Sequence, residues 1–463
     1  MANRDDLRVI GQDQRVPTAD GRFLPYANLD NAASTPALVY VAKKVEQFLP
    51  WYASVHRGAG LKSRLTTEIF EEARLTVADF FGYDPGTNVV LFGKNTTEAL
   101  NKLAYRWPWR PGDIVMSSLV EHHSNDLPWR SKAKRIYLGL RPDGAIDLDH
   151  LEWYLSLYSP YVKLVALTGA SNVTGCLTDI HRAAAIAHRY GAKIAIDGAQ
   201  LAAHRLFQAG PDDDPVHIDF LAISGHKIYA PFGQGALIGP RAFFNSGAPE
   251  FAGGGTVTGV TLNSVRWAPP PEREEAGTPN VVGAVALAAA LKHLAAYGLS
   301  AVETRERDLT SYLFSGLRSI DDLVIYGPSF PAVDRVGVVS FNLGDLPHGL
   351  VAAVLACEDA IGVRDGCFCA RPYVRKLLGV DAREALLESD PDANEDSQLP
   401  GMVRASLGLY NRTEEIERLV KALRRIAENK NYYRLSYAYD PRDGYWWPRG
   451  WRPRFEQWFR LGD

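Results

Sequence analysis

The sequence predicts an α/β fold, with a large domain on a mostly parallel sheet and a smaller α+β domain beside it. Three observations predict it. Between about residues 90 and 240, short β-branched runs alternate with amphipathic or alanine-rich segments, as in a sheet covered by helices on both faces. Polar residues cluster directly after the apolar runs, where such sheets bind their ligands. Beyond about residue 295 the strand patterns thin out and a long helical pattern follows.

The strand candidates in order are "NVVLFG", "DIVMSSLV", "KRIYLGL", "KLVALTG", "AKIAIDG", "DFLAISG" and "GALIG". Between them, "TTEALNKLAYRW" and "DIHRAAAIAHRYG" read as helices, the second ending in a glycine suited to a C-cap. In the second half, "VGVVSFNL" reads as a strand and "TEEIERLVKALRRIAENK" as a long helix. The expected division is a large domain over residues 25–295, a smaller one from 1–24 with 296–430, and an aromatic-rich extension over 431–463. Residues Val380 to Pro400 are acidic, with loop signals in their second half, and read as an insertion. The extension holds eleven aromatics between Tyr432 and Phe459, interleaved with arginines. It suits either packing on the protein itself or stacking on single-stranded nucleic acid.

With 463 residues, 46% of them hydrophobic, the chain can bury a substantial core. Its 51 basic and 54 acidic residues leave a formal charge of -3, so no global field draws it to nucleic acid or an anionic membrane. Any anion site is therefore local. The longest apolar run is broken by Lys292 and His293, and the first residues carry no apolar signal core. The expectation is a cytoplasmic protein without a membrane span. Four cysteines are too few for a disulfide framework in a chain this long.

The chemistry gathers in the loops. Lys227 follows the strand pattern "DFLAIS" and precedes a glycine-rich turn, where it is either a snorkelling lysine or an amine made nucleophilic by desolvation. Asp197 ends "AKIAI" and is either a helix cap or a charge partner. A lysine and an acid on adjacent strand ends suit pyridoxal phosphate (PLP), whose ring nitrogen needs a carboxylate and whose aldehyde carbon needs an amine. Thr96 and Thr97 open a helix pattern, where free N–H groups favour a phosphate or a threonine simply caps the helix. His122 suits stacking on a flat ring, or a structural role.

Ten ordered motifs carry a resemblance: "LDNAASTP", "SVHRGAG", "KNTTEALN", "EHHSNDLPW", "SNVTG", "DGAQ", "SGHKIYAPFGQG", "EAGTPN", "RDGCFCARP" and "RASLGLYNRTEE". Over about residues 20 to 425 the chain resembles the class V aminotransferase superfamily of PLP enzymes. It is most similar to the SUF-type cysteine desulfurases and selenocysteine lyases. The resemblance implies fold type I, the aspartate aminotransferase-like PLP-transferase fold. It also implies that Lys227 bonds the cofactor, His122 stacks on its ring, Asp197 pairs with the ring nitrogen and Gln200 bonds the phenolic oxygen. Thr97, Ser224 and His226 would hold the phosphate, with Thr96 in support, and Thr278 would reach the phosphate of a second subunit in a homodimer. Arg404 would bind the substrate carboxylate beside Asn172, with Arg364 and His56 in the same pocket.

Cys369 aligns with the family's nucleophile. The implied reaction removes sulfur from L-cysteine, or selenium from selenocysteine, through a persulfide on Cys369, releasing alanine and passing sulfur to an acceptor protein. An alternative keeps the cofactor but leaves Cys369 idle, as a different C–S lyase, an aminotransferase or an epimerase. A third is a scaffold kept for partner binding, against which the intact lysine, aspartate and phosphate loop argue. Where the family carries histidine before this cysteine, the chain has Cys367 and Phe368. No metal site is expected, since the Cys-x-Cys lacks a second ligand pair. In an extended loop Cys367 would share a face with Cys369, roughly 6 to 7 Å back along the chain.

Overall fold

The computed structural model describes residues 7–380 and 400–462. The expected insertion falls almost entirely on residues 381–399, outside the described residues.

All seven strand patterns form strands of one sheet: β1 (Asn88–Gly93), β2 (Ile114–Ser118), β3 (Lys134–Leu138), β4 (Val162–Thr168), β5 (Lys193–Asp197), β6 (Phe220–Ser224) and β7 (Gly235–Pro240). The spatial order is β1-β7-β6-β5-β4-β2-β3. Five strands run parallel, and β7 runs antiparallel to both of its neighbours. Successive side chains of a strand point to opposite faces, and here both faces are dry. Val90, Phe92, Val165, Leu167, Ile194, Ile196, Leu221 and Ile223 enter one core. Val89, Leu91, Leu164, Ala166, Ala195, Phe220 and Ala222 enter the other. That explains why the strands read as near-continuous apolar runs rather than alternating ones.

The first core is covered by α1 (Val39–Phe48), α2 (Leu61–Phe80), α4 (Leu148–Tyr158), α5 (Ile180–Arg189) and α6 (Val281–Tyr297); α3 (Thr96–Arg106) covers the second. Helix α6 is the alanine-rich run of the sequence, and it ends at Gly298, whose φ of 96° suits glycine. Among the described residues no single helix is long and apolar enough to cross a membrane.

Helix α7 (Leu299–Arg318) leads into a four-stranded antiparallel sheet of β8 (Leu323–Ile325), β9 (Val338–Leu343), β10 (Arg364–Gly366) and β11 (Met402–Ser406), in the order β8-β9-β11-β10. Helices α8 (His348–Asp359) and α10 (Thr413–Glu428) bury their apolar faces with it, and α9 (Arg371–Leu378) follows β10. The N-terminal segment divides between the cores: Leu7 and Val9 pack in the larger, while Ala27 and Leu29 pack in the smaller. In the extension, Tyr433 and Tyr437 are buried in the smaller core, and Trp446, Trp447 and Trp451 pack against it. These residues sit on or beside an antiparallel hairpin, Tyr437–Asp440 with Tyr445–Pro448, and pack on the protein itself.

Leu291, fully buried at the centre of α6, tests the larger core. Leu291→Ala should cost about 2–5 kcal/mol through lost transfer energy and a residual cavity, measured as a lower urea midpoint.

Candidate active site

Strands β2, β4, β5 and β6 run parallel, so their carboxyl ends share one edge, and the polar loops of the sequence converge there. They enclose a cavity of about 430 Å³ against the smaller domain. Of the expected site residues, Thr96, Thr97, His122, Asn172, Asp197, Gln200, Ser224, His226, Lys227, Arg364, Cys369 and Arg404 line it. Two do not: His56 and Thr278 both line a separate cavity of about 330 Å³, with Arg57, Arg74 and Glu275. His56 is held there because its Nε2 pairs with Glu71 at 3.0 Å, so it does not join Arg404 in this chain.

Lys227 follows β6 in a single 3-10 turn. Burial lowers its pKa to about 8, against the opposing pull of Asp197, while Arg404 lowers it further and Cys369 raises it. Asp197 ends β5, accepts a bond from the Ala199 N–H at 2.9 Å and has its pKa raised by burial. Gln200 donates its Nε2 to Ala32 O at 2.7 Å, leaving its buried Oε1 without a partner.

The other end of the cavity is built for an anion. The Asn95 side chain caps α3 by accepting from the Glu98 N–H at 3.0 Å. Ser224 Oγ accepts from the Thr96 N–H and pairs with the Thr96 hydroxyl, both at 2.8 Å, tying β6 to the helix start. The approach is close enough that a Cβ at Gly235 would lie 2.5 Å from the Asn95 Cα. Thr97 Oγ1 meets Ser124 Oγ at 2.6 Å, and Ser124 Oγ meets His122 Nδ1 at 2.9 Å. The Ser124 N–H also donates to that Nδ1 at 3.1 Å. His122 Nδ1 is therefore an acceptor on a neutral ring. Burial, then Lys227, hold its pKa down at about 3, and burial likewise holds His226 at about 4.

Arg404, on β11, is 3% exposed. Its Nη1 donates to Asn172 O at 2.9 Å and its Nη2 to Asp30 Oδ1 at 3.0 Å, while Nε has no partner. Burial lowers its pKa to about 10. Asp30 also binds Arg364 Nε at 3.1 Å. One carboxylate thus spans two arginines, and sequence reasoning missed it: Asp30 lies inside a quoted motif, but its partner is 374 positions away.

The cysteine loop is not extended. Phe368 and Cys369 both adopt left-handed backbone, with φ of 52° and 54°, and the Ala370 N–H closes a turn on Cys367 O at 2.9 Å. Cys369 is exposed, whereas the Cys367 thiol is turned to Pro400 O at 3.1 Å. The two thiols therefore do not share a face along an extended loop. Left-handed non-glycine residues cost of order 1–3 kcal/mol each, and the turn is held by anchors from the larger domain. Asn172 Nδ2 donates to Phe368 O at 2.7 Å, and the His123 N–H donates to Cys369 O at 2.7 Å. The Arg371 N–H donates to His123 Nε2 at 3.3 Å. His123 and Ser124 lie in the polar string "EHHSN" after β2, where the strand-end pattern marks a site without assigning them a role.

The chemistry of this donor set fits PLP. A buried amine and a buried carboxylate share the floor, helix N–H groups and hydroxyls stand at one end, and the unpartnered polar atoms Gln200 Oε1 and Arg404 Nε belong to residues lining the same space.

Comparison with known proteins gives the same picture. Residues 27–419 match the family model described as Aminotransferase class-V. A cysteine desulfurase of Klebsiella pneumoniae is 35% identical over 413 residues, covering 87% of this chain and 93% of that protein. One from Escherichia coli O139:H28 is 35% identical over 433 residues, covering 90% and 97%. The apo structure of a cysteine desulfurase from Thermococcus onnurineus NA1 aligns with a TM-score of 0.77 at 33% identity, over 87% of this chain and 95% of that one. The Escherichia coli cysteine desulfurase CsdA, solved in its S-sulfonic acid form, aligns with a TM-score of 0.73 at 30% identity, over the same 87% and 95%.

Asn172→Ala isolates the anchor of the turn, because Arg404 bonds the backbone oxygen of Asn172 and keeps that contact. Leaving Phe368 O unpaired should loosen the loop by about 1–3 kcal/mol. Amide hydrogen exchange across residues 366–371 should accelerate several-fold while the peptides of the large sheet stay unchanged.

Proposed function

The chain belongs to the class-V aminotransferase family, and on that premise we propose that it is a PLP-dependent cysteine desulfurase that takes sulfur from L-cysteine onto Cys369 and releases alanine. The observation that carries the reading is a coincidence of groups. Cys369, the exposed cysteine of the four, opens into the same cavity as the buried amine of Lys227 and the buried guanidinium of Arg404.

PLP, when bound, supplies an electron sink that makes the substrate Cα proton acidic and stores the electron pair left when carbon and sulfur part. Lys227 would carry its aldehyde carbon, Asp197 would keep its ring nitrogen protonated, and His122 and Gln200 would hold the ring and its phenolic oxygen. Thr97, Ser224 and His226 would hold the phosphate, with Thr96 in support.

Arg404 binds the substrate carboxylate, with Asn172 fixing the guanidinium through its main-chain oxygen. Lys227 Nζ, with a pKa lowered to about 8, takes the Cα proton. Cys369 Sγ, as a thiolate, forms a bond to the substrate sulfur while the Cβ–S bond breaks; the carbon takes up protons to become alanine. Arg404 and Lys227 line the same cavity as Cys369. The product is a persulfide, from which an acceptor protein draws the sulfur. The reading includes a cytoplasmic homodimer. Thr278 and His56 lie together away from Lys227, an arrangement that suits service to a second subunit's site.

Three outcomes test this. Borohydride should fix the cofactor to the peptide containing Lys227, and Lys227→Ala should abolish that fixation; capture at another lysine would overturn the assignment. Cys369→Ser should retain cofactor and substrate binding but lose alanine release and the added sulfur seen by mass spectrometry. Unchanged sulfur release would instead favour direct elimination. Finally, Lys227 must be neutral to take up the aldehyde, and its lowered pKa leaves it neutral above about 8. The rate of PLP uptake by the cofactor-free protein should therefore climb as pH rises through that value and level off beyond it, followed by absorbance.

A further inference from the structure

At the opposite end of β6 from Lys227, three residues converge that the desulfurase reading does not use. Asp219 immediately precedes the strand, and its side chain is fully buried. His188 Nε2 stands 2.7 Å from Asp219 Oδ2, and His217 Nε2 stands 3.2 Å from Asp219 Oδ1. The two rings stack with centroids 4.3 Å apart and planes 23° apart. The three potential ligand atoms all lie within 4.8 Å of one another.

The far side of each ring fixes its tautomer. His188 Nδ1 lies 2.8 Å from Pro215 O, and His217 Nδ1 lies 2.6 Å from Asp214 O. A carbonyl oxygen only accepts, so each Nδ1 carries a hydrogen, and each Nε2 is turned toward the carboxylate. Backbone carbonyls that hold Nδ1–H and aim Nε2 inward are also how metal-binding histidines are oriented. The Ile194 N–H donates to Asp219 Oδ2 at 2.9 Å and fixes the carboxylate in turn.

We propose that His188, His217 and Asp219 form a binding site for a divalent transition-metal ion such as zinc. Two imidazoles and one carboxylate make a borderline ligand set suited to zinc. A tetrahedral ion with ligands at about 2.1 Å spaces them roughly 3.4 Å apart, so the cluster needs only a small adjustment, with water as a fourth ligand. Both histidine side chains are 14% exposed, which leaves solvent an approach. One group competes. Lys193 Nζ stands 2.6 Å from Asp219 Oδ1, but its side chain is 52% exposed and free to swing outward as the ion enters. The ion would pin α5 and the loop before β6 to the sheet at the end remote from the cavity, so the proposal stands apart from the reaction assigned to it.

Zinc titrated into the cofactor-loaded protein against a chromophoric chelator tests it. The expected result is one zinc per chain at this site, with His217→Ala and His188→Ala each weakening binding at least 10-fold and Cys369→Ser leaving it unchanged. Lys193→Met should tighten binding, because it removes the competing ammonium; this variant guards against a histidine variant that fails to fold. Equal zinc affinity in His217→Ala, or zinc lost with Cys369→Ser rather than with the histidines, would overturn the site.

Discussion

The burial of one lysine organises the molecule. An ammonium taken out of water on an ordinary stem pays several kcal/mol, and the protein meets this partly by lowering the Lys227 pKa to about 8 and partly by setting Asp197 within reach. That arrangement needs β5 and β6 side by side and parallel, so that the residues after both strands emerge at one edge. The antiparallel β7 brings Gly235 back beneath Asn95, and α3 can then start close enough for Ser224 and Thr96 to join. Without those strand directions the amine, the acid and the anion-binding helix end would lie at different edges of the sheet.

The smaller domain contributes what the sheet edge lacks: a buried guanidinium and a thiol on a turn. Both are held across the interface. Arg404 reaches Asn172 and Asp30, Asn172 and His123 reach the cysteine turn, and a second buried set joins the halves farther off, where Arg205 pairs with Glu306 and donates to Arg335 O at 2.5 Å. Asp30 is the economical element here. By spanning Arg364 and Arg404 it keeps two like charges close together and fixes both guanidinium groups beside the cavity.

The legible part of this architecture is what local pattern encodes. Seven apolar runs became seven strands because burial on both faces removes polar residues from them, and the polar strings after them mark the strand ends. The site residues on those ends came together as expected. Long-range pairing was not legible: nothing around Asp30 announces an arginine 374 positions later, and His188 and His217 carry no motif spacing. Neither was the left-handed pair at Phe368 and Cys369, since glycine usually signals such backbone and neither residue is one. The placement of His56 depended on Glu71, a partner on α2 that motif position alone did not reveal.

That left-handed pair bears on the order of assembly. The contact from Asn172 to Phe368 joins residues 196 positions apart, so closing it must await both halves of the chain. Two residues that individually favour other backbone regions have no reason to adopt this turn earlier. A half-folded chain therefore holds Cys369 on a segment not yet in register with Lys227 and Arg404. Docking of the two domains is what brings the thiol into line with the other groups of the cavity.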